Sequence, residues 1–201
     1  MKKRLYYFIK RLFDIIISFF VVILLIPISL IFKLIYIICG DFKPIFYLQK
    51  RIGKNGKIFK IIKYRTMVID ADKKLDKLLD NKKLKNEWDN NQKINNDPRI
   101  TRVGSFLRKH AIDEIPQFIN ILKGDMSLVG PRPLILNELD RHNGDHKIYE
   151  SIKPGLTGWW VVNKKKCKTY KERLDYEYYY INNQSIGLDI KCILKTIKVI
   201  F

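Results

Sequence analysis

Asp113 and Glu114 stand side by side in a segment that also carries Arg99, Arg102, Arg108, Lys109, Lys123 and Arg132. An acidic pair inside a cationic field suits chemistry on a phosphate ester. The cations gather and hold the anion, a divalent metal ion bridges it to a carboxylate, and one carboxylate attacks phosphorus. An isolated Asp-Glu pair is ordinarily a solvated surface feature with salt bridges. The downstream residues shift that balance: Ile115-Pro116-Gln117, then Lys123-Gly124-Asp125-Met126-Ser127 and Gly130-Pro131-Arg132-Pro133. Upstream, Lys63-Tyr64-Arg65-Thr66-Met67 adds two cations that face either a phosphate or solvent.

These residues need a scaffold and a place to work. A chain of 201 residues suffices for one domain with an appended anchor. Its formal charge of +19, from 39 basic against 20 acidic residues, points to an anionic partner: nucleic acid, an acidic membrane surface or phosphorylated substrates. Lys, Ile and Asn are abundant along the whole chain, so the charge alone does not choose among these. Cys39, Cys167 and Cys192 lie far apart with no metal-ligand spacing, which fits a reducing compartment and argues against a disulfide framework or a zinc site.

Ile15 to Phe32 carry no charge, and the apolar run resumes past Lys33 to Cys39. About 18 residues make roughly 27 Å of helix, at the lower edge of what crosses a bilayer. Lys2, Lys3, Arg4, Lys10 and Arg11 precede the run, while Lys43, Lys50, Arg51, Lys54, Lys57, Lys60 and Lys63 come after it. Basic flanks favour the cytoplasmic side, and here both are basic. Pro27 removes a helix hydrogen bond near the middle of the run, and Ser18 and Ser29 are placed to satisfy freed backbone groups. The expectation is a re-entrant helical hairpin over residues 1–40, entering and leaving through one leaflet; the alternative is an ordinary span with a proline kink.

Further along, Ile45 to Met67 is predicted as a β-hairpin turning at Gly53-Lys54-Asn55-Gly56. Asp70 to Lys93 is predicted as a polar helix with Leu75, Leu78, Leu79 and Leu84 on one stripe. A short basic helix over Val103 to His110 leads to a helix from Asp113, with Pro116 in its first turn and the acidic pair at its N-terminus. Trp159-Trp160 suit an aromatic core or a membrane interface equally, while most of Tyr176, Tyr178, Tyr179 and Tyr180 fit a core. Leu188 to Phe201 is amphipathic and suits an interfacial helix. The fold expected is mostly α (α+β): a proline-kinked re-entrant helix, a small β-hairpin, and a helical catalytic domain over residues 41–201.

Several blocks, in order, resemble the bacterial sugar transferases, the monotopic phosphoglycosyl transferases. They include Asp14 and Pro27, Arg51-Ile52-Gly53-Lys54-Asn55-Gly56, Lys63-Tyr64-Arg65-Thr66-Met67, and Asp97-Pro98-Arg99-Ile100-Thr101-Arg102. The acidic pair, Leu122 to Pro133, Lys153-Pro154-Gly155-Leu156-Thr157-Gly158 and a tail with Asp175, Tyr179, Ser185, Asp189 and Thr196 complete them. The resemblance implies transfer of a sugar 1-phosphate from a UDP-sugar to undecaprenyl phosphate at the cytoplasmic face of the inner membrane, with release of UMP. This would initiate exopolysaccharide, capsule, O-antigen or glycoprotein glycan synthesis, with downstream glycosyltransferases as further partners and no nucleic acid. It implies Asp113 as nucleophile and Mg2+ ligand, Glu114 as its assistant, and Lys63, Arg65, Arg108 and Arg132 as phosphate-binding cations.

Three positions depart from that pattern. Ile26 precedes the helix proline where the family usually has Ser, Ala111 stands where Ser or Thr often precedes the pair, and Trp159 to Lys166 replaces a Gln-Val and Gly-Arg block. Contacts from that last loop to sugar or nucleotide therefore do not carry over. The rival readings are a phosphohydrolase using the same carboxylate with water as acceptor, and a non-enzymatic binder of anionic lipid or nucleic acid.

Overall fold

The computed structural model describes residues 2–91 and 94–200; Lys93 and Phe201, placed at predicted helix ends, lie outside the described residues. Helix α1 spans Lys2–Ile38 without interruption. Its secondary structure runs on through Pro27, because loss of one backbone donor does not end a helix whose neighbouring turns remain bonded. Nor do the serines serve the helix backbone. The Ser29 hydroxyl pairs with Tyr64 Oη at 2.8 Å, and Ser18 Oγ is buried with no partner among the described residues.

Most of α1 is not a core helix. Phe8, Phe19, Phe20, Leu24, Ile26, Leu30, Ile31, Leu34 and Ile38 are exposed, as apolar side chains are when lipid is the solvent. Its polar residues do the opposite and lock it to the rest of the chain. Asp14 is buried and accepts hydrogen bonds from Ser127 Oγ (3.1 Å) and Leu128 N (2.9 Å). Lys10 pairs with Asp189 at 2.7 Å, and Arg11 donates to the carbonyls of Ile121 and Leu122.

After α1, strands β1 (Phe46–Ile52) and β2 (Ile58–Tyr64) pair antiparallel as predicted, with Phe46 opposite Tyr64 and Ile52 opposite Ile58. The turn closes where Asn55 and Gly56 take positive φ, a conformation the Asn-Gly pair tolerates. The predicted single helix from Asp70 is two, α2 (Ala71–Leu79) and α3 (Lys82–Asn91). Asn81 divides them, its side chain accepting from the backbone N–H of Lys83, a capping bond that an intact helix would forgo.

Helix α4 (Arg102–Lys109) is capped by Thr101, which accepts from Gly104 N at 2.9 Å. A Cβ on Gly104 would sit 1.9 Å from the Thr66 carbonyl oxygen, so only glycine lets α4 approach the end of β2 this closely. Helix α5 (Gln117–Lys123) comes next and stops at Gly124, in the left-handed conformation at φ 91°. Strand β3 (Ser127–Val129) then pairs in parallel with β4 (Gly155–Thr157), a sheet that no hairpin pattern announced. The crossover between them carries Arg132 and helix α6 (His146–Tyr149). Helices α7 (Trp159–Asn163), α8 (Tyr170–Asn182) and α9 (Ile186–Ile200) complete the chain.

One apolar core joins β3, the crossover, α8 and α9 through Val129, Leu134, Leu139, Tyr149, Leu174, Tyr180 and Cys192. Another joins α1 to the hairpin and α4 through Leu25, Tyr36, Tyr64 and Leu107. Of the tyrosine cluster only Tyr180 is fully buried; Tyr176 and Tyr178 are half-buried and Tyr179 is exposed, stacked on Trp159.

Candidate active site

The acidic pair does not begin α5. It occupies its own 3-10 turn, Ile112–Glu114, entered through Ala111 at φ 54°, and Pro116 caps the helix beyond it. The left-handed Ala111 separates the pair from α4, and Pro116, with no N–H to give, separates its turn from the hydrogen-bonded run of α5. The expected placement in a helix first turn is therefore corrected to a short turn held between α4, α5 and β2.

The two carboxylates are treated differently. Lys63, at the end of β2, reaches Glu114 Oε1 at 2.7 Å. Burial pushes the Glu114 carboxyl up, but Lys63, Arg132 and Arg51 together outweigh it and hold it below the usual range. The Asp113 carboxylate has neither an ion pair nor a hydrogen bond to another residue among the described residues. Burial raises its pKa, the charge of Glu114 adds to that, and the attraction of Lys63 and Arg108 offsets only part. One carboxylate is thus neutralised by a fixed cation, and its neighbour is left half-buried with oxygens available.

The cations divide likewise. Arg108, on the last turn of α4, is exposed and steadied by Nε donating to Thr66 Oγ1 at 2.8 Å. Arg132 is half-buried; its backbone N–H donates to Glu177 Oε1 at 3.1 Å, and its guanidinium lies 5.8 Å from the Trp160 ring centroid. Arg65, expected beside Lys63 in the phosphate site, is committed elsewhere. Residues two apart share a face only within a strand, and β2 ends at Tyr64. Beyond it Arg65 is buried, with Nη2 on Asp41 (2.8 Å), Nε on the Pro44 carbonyl (2.7 Å) and Nη1 on that of Met67 (3.1 Å). Arg99 is likewise taken, by Asp97 at 2.6 Å.

Arg51 belongs with the site although its spacing gave no hint of it. It is 9 % exposed, its Nη1 donates to the Pro133 carbonyl at 3.0 Å, and burial together with the charge of Arg132 lowers its pKa to about 10. Its one signal in the sequence was its place in the Arg51-Ile52-Gly53-Lys54-Asn55-Gly56 block of the family resemblance, since its strand shows no inward–outward alternation. Glu177, fully buried in α8 beneath Arg132, gave no signal because 45 residues separate the two.

No group of three His, Cys, Asp or Glu side chains converges as a metal cage among the described residues. Asp113 and Glu114 nonetheless offer hard carboxylate oxygens. Such a pair suits Mg2+, which binds through one or two carboxylates and completes its shell with water and substrate phosphates.

The model for the family described as bacterial sugar transferase matches residues 5–201. This chain belongs to that family. It is 42% identical over 199 residues to the undecaprenyl-phosphate galactose phosphotransferase of Salmonella typhimurium, covering 98% of this chain and 41% of that protein. Against the exopolysaccharide production protein ExoY of Sinorhizobium fredii the identity is 38% over 192 residues, covering 95% of this chain and 84% of the relative. An N-acetylgalactosaminephosphotransferase of Aeromonas hydrophila that uses undecaprenyl phosphate by name is 33% identical over 202 residues, covering 98% and 44%. The chain spans about two fifths of the length of the first curated relatives it matches.

Proposed function

We propose that this member of the family transfers a sugar 1-phosphate from a UDP-sugar to undecaprenyl phosphate, with a phosphosugar carried on Asp113 between the two half-reactions. The observation that carries this reading is the unequal acidic pair. Glu114 is tied to Lys63, while Asp113 has no partner on another described residue and faces the cations Lys63 and Arg108. An Asp113 oxygen attacks the β-phosphorus, the bond from that phosphorus to the oxygen bridging it to the α-phosphorus breaks, and UMP leaves with that oxygen. An oxygen of the lipid phosphate then attacks the same phosphorus, and the bond to Asp113 breaks. Lys63, Arg108 and Arg132 neutralise the diphosphate that would otherwise repel a carboxylate. Mg2+, held by Asp113 with Glu114, would supply further neutralisation of the phosphate oxygens.

The chain's anchor supports a monotopic arrangement. Its N-terminal arm is bonded to α5, β3 and α9 through Arg11, Asp14 and Lys10. The C-terminal arm is bonded to the hairpin through Ser29 and to the Arg65 carbonyl through Tyr36. A helix held at both ends by one globular body keeps both ends on that body's side of the bilayer. We place that side in the cytoplasm, where nucleotide sugars are made and where the basic flanks favour it. The anchor brings the site to a substrate confined to the membrane surface.

Incubating the protein with UDP-sugars of several kinds, without lipid, and weighing it intact tests the intermediate. The expected result is an added sugar phosphate mapping to Asp113, discharged by undecaprenyl phosphate and absent in Asp113→Asn, whose UMP release falls on the order of 10^3-fold or more. No adduct in an active protein would favour direct transfer, and discharge by water alone would make the chain a phosphohydrolase.

A further inference from the structure

Arg132 enters the active site from a crossover loop, not from a helix or strand, yet its main chain is held on both sides. Its N–H donates to Glu177 Oε1 at 3.1 Å, and its carbonyl accepts from Tyr149 Oη at 3.0 Å. The Trp160 ring lies beside its guanidinium at 5.8 Å and beside that of Arg173 at 4.7 Å. Glu177 is 1 % exposed, and its second oxygen, Oε2, has no partner among the described residues; neither do Nε and Nη2 of Arg173, one turn earlier on α8. A fully buried carboxylate with one oxygen unsatisfied is a costly thing to keep in a core. Ordinary packing would be better served by an apolar residue of that volume.

We propose that Glu177 is a positioning residue for the transfer reaction, fixing the main chain of Arg132 so that its guanidinium meets the diphosphate. The proposal rests on the reading of Arg132 as a phosphate-binding residue. It explains why the carboxylate is buried where it is: a charge-assisted bond to the peptide N–H fixes Arg132 itself, between the backbone bonds that the Pro131 and Leu134 carbonyls accept from Gly155 and Ile52. The groups facing Glu177 are Arg132 from the loop, Arg173 and Tyr170 from α8, Tyr149 from α6, Cys192 from α9 and Cys167 from the segment before α8. Burial raises its pKa to about 7, and the Arg132 N–H bond and the charges of Arg173 and Arg132 offset only part of that cost. The anchor is therefore at full strength above neutrality and weakens as Glu177 takes up a proton below it.

Glu177→Gln is a permanent mimic of the protonated form and tests this directly in the full-length protein in detergent. With undecaprenyl phosphate and a UDP-sugar that the wild type accepts, its kcat/KM at pH 8 is expected to fall about tenfold, with the gap closing towards pH 6. In an Arg132→Ala background the same substitution is expected to add nothing. Its melting temperature at pH 8 is expected to match or exceed the wild type's, because a neutral group replaces a buried charge. A gap that is the same at pH 6 and pH 8, or that persists without Arg132, would assign Glu177 a purely structural role and overturn the proposal.

Amide exchange of Arg132 reads the anchor without reference to catalysis. In the wild type, after correction for the intrinsic pH dependence, protection is expected to drop as pH falls through 7; in Glu177→Gln it is expected to be low throughout. An Arg132 amide equally protected in both proteins and at both pH values would also sink the idea. Absence of UMP release from the wild type would instead count against the proposed function and leave the exchange result to decide this one.

Discussion

The two sides of the acidic pair hold their cations by different means. On one side, β2 and α4 present Lys63 and Arg108 from regular elements, and each makes a direct side-chain bond, Lys63 to Glu114 and Arg108 to Thr66. On the other, Arg132 stands on a loop between two three-residue parallel strands and is fixed through its peptide group by residues 17 and 45 positions away. The first side is built locally and its cations can be exchanged one by one. The second is built from the core outward, so that disturbing it disturbs the fold's centre. A similar division separates Lys63 from Arg65, two residues apart: one faces the carboxylates, and the other fastens the end of α1.

Substitutions sharpen this contrast in order of size. Arg65→Ala leaves Asp41 without its buried partner and frees the Pro44 and Met67 carbonyls, which is expected to destabilise the fold by about 3 kcal/mol. Denaturant unfolding in detergent measures it, and an unchanged midpoint would mean Arg65 is free to serve the site after all. Lys63→Met should cost less stability than Arg65→Ala, its ion pair being more exposed, but slow the reaction by about 10^2-fold, because Glu114 loses its counter-charge. The sign of its pH effect comes from the same bond. Lys63 keeps the folded-state pKa of Glu114 below its usual value, so the charged form persists as pH falls; without Lys63, burial prevails and the acid limb of the rate profile should move to higher pH. An unmoved limb would assign it to another group. Thr66→Val, which removes only the support of Arg108, should cost about fivefold in rate, corresponding to one hydrogen bond of about 1 kcal/mol.

Much of this architecture is legible in the sequence. The apolar run, the hairpin with its Asn-Gly turn, α4 and α9 arise from local patterns, whereas Lys63, Arg108 and Arg132 were tied to the acidic pair through the family resemblance alone, being too far apart in the chain for any local pattern to join them. Misreadings came where distant chain segments decide. Arg65 looked like a partner of Lys63 because nothing nearby shows Asp41 and the Pro44 carbonyl returning to claim it. The β3–β4 pairing rests on close backbone approach, with a Cβ on Gly130 falling 2.6 Å from the Lys153 carbonyl oxygen, and three-residue strands leave no periodicity to read. The split of the polar helix at Asn81 was visible in principle, since an Asn after Asp80 is a capping signal, but the leucine stripe runs across it.

Asp14 carries a consequence for anyone handling this protein. Its carboxylate closes the start of β3, a few residues from the loop that presents Arg132, while Arg11 caps the end of α5, the helix just beyond the acidic pair. Trimming away α1 to obtain a soluble fragment would uncap α5 and strip β3 of its acceptor, so truncation should yield an aggregating or inactive product, not a detergent-free enzyme. The greasy arm is a structural strut of the very site it escorts to the lipid.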